Sequence, residues 1–146
     1  MAAGAFLLKD PESTVFEKVR VASQAYTIGD IVMLDRVSDA IDVVPATSST
    51  TTTNLYGVAV QTVASSATEL MIAVITPKQE WLLQSANDAV VNNKFQRMLL
   101  TDANTVNNTG TDNTTKEAVF MQTGYQGALT AKVLVGKFLK VANVTA

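Results

Sequence analysis

The apolar segments of this chain are short, rich in β-branched residues, and closed by turn residues at almost every step. YGVAVQTV (56–63) and ELMIAVIT (69–76) are the clearest, and Pro77 ends the second. YTIGDIVML places a Gly29-Asp30 turn before the run Ile31 to Leu34, and Ile41 to Val44 is stopped by Pro45. TVFEKVRV, EWLLQ (80–84), RMLLT (97–101), AVFMQT (118–123), ALTAKVLVG and KFLKVANV complete the series. Many short strands at close spacing with turn signals between them predict an all-β chain, either a compact β-barrel or a β-sandwich.

One stretch dissents. In SANDAVVNNKFQRMLL, Ser85 and Asp88 have capping-box spacing, and Val91, Phe95, Met98 and Leu99 share a helical face. Val90-Val91 and Asn92-Asn93 are poor helix formers. A turn or short helix is expected there, with a strand from about Gln96 onward.

Two polar tracts interrupt the strands. TSSTTTTN (47–54) precedes LYGVAVQTV, and TDANTVNNTGTDNTTKE (101–117) carries an Asn107-Asn108-Thr109-Gly110 turn signal. Neither tract contains Pro, and strand candidates of similar character flank both. The 146 residues suit one ordinary domain, and neither half alone is long enough for a comfortable core. The tracts therefore read as long polar loops within one β domain over residues 14–146. A mucin-like stalk would be Pro-rich. Residues 1–13 read as an extended N-terminal arm. Phe6, Leu7 and Leu8 are too apolar for a free tail, so they pack either on their own domain or on a neighbouring subunit.

Charged residues are only 16% of the chain against 47% hydrophobic, with net charge −2. The polar exterior must come from Thr, Ser, Asn and Gln. Nucleic-acid binding is disfavoured, because it needs Lys and Arg to displace phosphate counterions. No apolar run approaches the ~18 residues of a membrane helix. The N-terminus has no basic region ahead of its short apolar run, so a soluble protein made in the cytoplasm is expected.

Chemistry-bearing patterns are sparse. With no Cys and no His, thiolate chemistry and every Ser-His triad are removed. The acidic set Asp30, Asp35, Asp39 and Asp42 has the oxygen ligands that hard cations take, but not EF-hand spacing, so solvated loop carboxylates are expected. Nothing in the spacing of Glu69, Glu80 and Glu117 supports a glycosidase pair. No catalytic, cofactor-binding or metal residue is assigned, and a non-enzymatic protein is expected. Trp81, the single Trp, reads either as core or as a platform at an interface or sugar site. Tyr26, Tyr56 and Tyr125 lie beside turns or polar loops.

TIGDIVMLD (27–35) followed by YGVAVQTVASSATELMIAVI (56–75) resembles the small capsid cement, or decoration, proteins of tailed bacteriophages. The C-terminal half, QRMLLTDANTVNNTGTDNTTKEAVFMQTG with a closing KVLVGKF, looks like a longer version of such proteins. The resemblance runs from about residue 14 onward. It implies a β-barrel-like module on the outer surface of an icosahedral head, where it bridges major capsid subunits, commonly as a trimer, and stabilises the capsid lattice. It carries no catalytic residues. Candidate subunit or capsid contacts are Phe6, Leu7, Leu8, Trp81 and Phe138. The alternative is a β-sandwich glycan-binding module of a head or tail fibre, which requires Trp81 and a tyrosine exposed on one face.

Overall fold

The structure, a computed structural model, describes residues 4–9, 14–109 and 117–139. The turn at Lys9-Asp10-Pro11, residues 110–116 of the second polar tract and the terminal VANVTA lie wholly or partly outside those residues.

Among the described residues eleven strands form in chain order: β1 (Ala5–Lys9), β2 (Phe16–Arg20), β3 (Ile31–Leu34), β4 (Val43–Pro45), β5 (Leu55–Ala59), β6 (Glu69–Val74), β7 (Glu80–Gln84), β8 (Arg97–Leu100), β9 (Val106–Asn107), β10 (Phe120–Tyr125) and β11 (Val133–Phe138). They make a six-stranded sheet ordered β1-β7-β11-β10-β8-β9 and a five-stranded sheet ordered β2-β6-β5-β3-β4. The strand pairs are antiparallel throughout. The two sheets pack as a β-sandwich, and no closed barrel forms among the described residues. The five-stranded sheet coils until its edges touch at one parallel bridge, Val21–Val43.

The apolar residues divide into two clusters. One fills the space between the sheets and includes Ile31, Leu55, Val58, Trp81, Leu83, Phe120, Leu134 and Phe138. The other lies inside the coil of the five-stranded sheet and includes Val19, Val32, Val43, Tyr56, Leu70 and Ile72. The inner strands of that sheet are thus buried on both faces, which is why β5 and β6 read as near-continuous apolar runs. In β5 a bulge adjusts the alternation. Val32 pairs with Gly57 but Met33 pairs with Leu55, leaving Tyr56 as the extra residue. Leu55 and Val58 therefore share the inter-sheet core while Tyr56 turns into the coil.

Several boundaries differ from expectation. Residues 5–9 are an edge strand on β7 of their own domain, with Ala5 opposite Leu83 and Leu7 opposite Trp81. ALTAKVLVG is not one strand: Leu129–Ala131 is a 3-10 turn, and β11 runs on through Phe138 into the next candidate. The helix-like stretch, by contrast, matches expectation: it holds a single 3-10 turn, Val91–Asn93, and β8 begins at Arg97. The Thr tract joins β4 to β5 within one sheet but is not wholly solvated. Thr50 and Thr52 are buried. Glu117 accepts hydrogen bonds from the Thr52 N–H (3.0 Å) and Oγ1 (2.7 Å). That contact pins the tract to the segment entering β10.

Candidate functional site

The two sheets leave one side of the sandwich open. There β1, the edge of the six-stranded sheet, faces β2, the edge of the five-stranded sheet. Between them runs an apolar groove of about 230 Å³ lined by Phe6, Leu7, Phe16, Ile28, Val58 and Trp81, among others. Its rim is exposed: Phe16 by 60%, Ile28 by 46% and Leu7 by 37%. Val15, next to Phe16, is also exposed. Strand alternation explains the arrangement, since Val19 turns into the coil and Phe16 therefore points outward. The rim is held in place from below. Gly4 and Gly29 both have positive φ, and the Ala5 N–H donates to the Gly29 carbonyl at 2.8 Å. A Cβ at Gly4 would lie 2.9 Å from the Gly29 backbone, so only glycine permits this approach.

The five candidate contact residues separate cleanly. Phe6 is half-buried along the groove, and Leu7 and Leu8 are exposed on β1. Trp81 (2% exposed) and Phe138 are core residues. Their rings meet edge-to-face at 5.7 Å, and Phe138 meets Phe120 at 5.3 Å. Both side chains are almost wholly buried, and Trp81 reaches the groove only at its floor. Phe16 and Ile28 were not among the sequence candidates. The available signal was Phe16 standing on the opposite face of TVFEKVRV from the residues that alternate with it.

A second concavity, polar and open, lies where β2 and β4 diverge. It is about 480 Å³ and lined by Glu17, Leu34, Asp35, Arg36, Asp42 and Tyr56, among others. The Tyr56 hydroxyl donates to Glu17 Oε2 at 2.7 Å. Burial raises the Tyr56 pKa, and the Glu17 carboxylate raises it further. The phenol therefore stays protonated and serves as a donor rather than a base.

The acidic set disperses into local tasks. Asp30 Oδ2 accepts from the Thr27 N–H, Asp35 Oδ1 from the Val37 and Ser38 N–H groups, and Asp42 binds Arg20. Among the described residues no group of three or more metal-ligating side chains converges. Nor are the three glutamates brought together: register sets Glu69 opposite Arg20 and Glu80 opposite Lys9, while Glu117 reaches Thr52. Tyr26 and Tyr56 are buried, and Tyr125 is exposed.

No protein-family model matches the chain, and no curated protein sequence is significantly similar to it.

Proposed function

We propose that this chain is a structural virion protein. It binds the outer surface of an icosahedral phage head and stabilises the lattice by bridging major capsid subunits, with a trimer as the favoured oligomer. The observation that carries this reading is the exposed apolar rim of Leu7, Phe16 and Ile28 along two open sheet edges. Contiguous exposed apolar surface of this kind marks an interaction site, and the chain offers few charges to compete with apolar contact. Sequence resemblance to cement proteins supplies the identity of the partner.

The mechanism is mass action. A protein that binds only the expanded, closed lattice stabilises that state, and many copies add through multivalent geometry. Apolar contacts from the rim supply affinity by removing Phe16 and Ile28 from water. Open edges of β1 and β2 offer backbone groups to a partner strand. The glycan-binding reading needed Trp81 exposed beside a tyrosine, and the burial of Trp81 withdraws that support.

The test is co-sedimentation of the purified chain with expanded, undecorated heads. Point variants are preferable to deleting residues 2–12, which would remove β1 from its sheet. Phe16→Ser combined with Ile28→Ser is expected to lower head binding at least tenfold while leaving the fold intact. Unchanged binding by the double variant would refute the rim as the contact.

A further inference from the structure

We propose that the seam between β2 and β4 is an acid-released latch, at which these two strands part while the six-stranded sheet and the inter-sheet core remain folded. Three observations carry this. The first is that the edges of the coiled sheet meet along a short line. It consists of the Val21–Val43 bridge and the Asp42 N–H donating to the Arg20 carbonyl at 3.0 Å. Further along β2 the two strands diverge around the polar cleft that Glu17 and Tyr56 line.

The second is that one carboxylate fastens the seam. Asp42 Oδ2 accepts from the Arg20 backbone N–H at 2.8 Å, and Oδ1 accepts from Arg20 Nε at 3.1 Å and Nη2 at 2.6 Å. Arg20 Nη1 also donates to the Asp39 carbonyl at 3.3 Å. The third is the division of the core. Strands β2 and β4 contribute Val19 and Val43 to the cluster inside the coil and no residue to the inter-sheet cluster. Parting them leaves β3, β5 and β6 seated on the other sheet through Ile31, Leu55, Val58 and Ala73.

The direction of the pH response follows from Asp42. Its carboxyl is held below its ordinary value of 3.8, first by the Arg20 side-chain hydrogen bond and then by the Arg20 backbone N–H. A depressed pKa contributes stability that is present above the unfolded value and lost as pH falls through the folded value. The latch is therefore closed at neutral pH and released only in acid. The other ionisable groups around it are Glu17 and Lys18 on β2, Asp35, Arg36 and Asp39 between β3 and β4, Tyr56 on β5, and Glu69, opposite Arg20 on β6. Glu17 differs from Asp42 in that its mapped bond, to the Tyr56 hydroxyl, does not cross the seam.

The test is hydrogen exchange of the full chain read by mass spectrometry, corrected for intrinsic rates, across an acid titration. Trp81 fluorescence reports the inter-sheet core in parallel. Peptides spanning 14–24 and 38–48 are expected to lose protection at a higher pH than that at which Trp81 emission shifts. Asp42→Asn is expected to show the unprotected seam already at neutral pH and to lose the separate acid step, whereas Glu17→Gln keeps it. The proposal is overturned if seam peptides and Trp81 change together at one pH in the wild-type chain, or if Asp42→Asn matches wild type at neutral pH. The wild-type titration decides the matter even if a variant folds poorly.

Discussion

Gly136 offers the sharpest test of how the six-stranded sheet is packed. It sits mid-strand in β11, opposite Trp81 on β7 and Gln122 on β10. A Cβ built there would lie 2.6 and 2.7 Å from two atoms of the Phe120 ring and would also run into the Met121 carbonyl. The ring is fixed by its edge-to-face contact with Phe138, and the carbonyl belongs to the sheet backbone, so neither yields easily. Over-packing of a core costs ~1–3 kcal/mol, and a backbone obstacle places Gly136→Ala near the top of that range, at about 3 kcal/mol. For a chain of this size that corresponds to a fall in Tm of about 6–12 °C. The assay is urea and thermal unfolding followed by Trp81 fluorescence. Gly124→Ala is the control, because its added Cβ meets only Val135 Cβ at 3.9 Å, an ordinary contact. It should be neutral, or stabilising by up to about 1 kcal/mol through the unfolded chain. A Gly136→Ala protein within about 0.5 kcal/mol of wild type, inside the range of ordinary surface substitutions, would refute the packing described for β7, β10 and β11.

Two further outcomes follow from the polar contacts. Glu117→Gln leaves one good acceptor where two are used, so the Thr tract loses a charge-assisted bond at Thr52. A loss of about 1–2 kcal/mol in urea unfolding is expected, with an unchanged midpoint contradicting the tether. Alkaline titration should find Tyr26 and Tyr56 ionising above the ordinary 10.0: burial and then Asp30 raise the first, burial and then Glu17 the second. Because the folded values are raised, this stabilisation is complete below the unfolded value and declines as pH climbs past it. Absorbance titration of Tyr26→Phe and Tyr56→Phe checks the assignment, and ionisation of both phenols at the unfolded value would oppose it.

The strands were legible where β-branched runs meet hard stops. Gly29-Asp30 leads directly into β3 at Ile31, and β6 ends at Val74, shortly before Pro77. The strand after Gln96 was equally visible, because Val and Asn pairs weaken a helix while RMLL suits a buried strand. β1 was not legible as a strand. AFLLK has no period of its own and is a strand because β7 supplies its partner. Nor could composition reveal that the Thr tract buries Thr50 and Thr52, since that burial depends on Glu117, distant in sequence. Leu7 and Leu8 stand out in the sequence as apolar residues near a terminus, and both are exposed on β1. Trp81 and Phe138 were chosen on residue type, and type does not tell a core aromatic from an interface one. The exposure of Phe16 is not legible because it depends on which face of β2 turns into the coil, and that of Ile28 because it depends on how the turn before β3 sits against the groove.

The proposed lattice-wide structural role on a phage head is tested most directly by quantitative mass spectrometry of purified particles of any phage whose genome carries this sequence. A copy number comparable to that of the major capsid protein is the expected result, and the ratio would identify the lattice positions filled. A few copies per particle, or none, would contradict it.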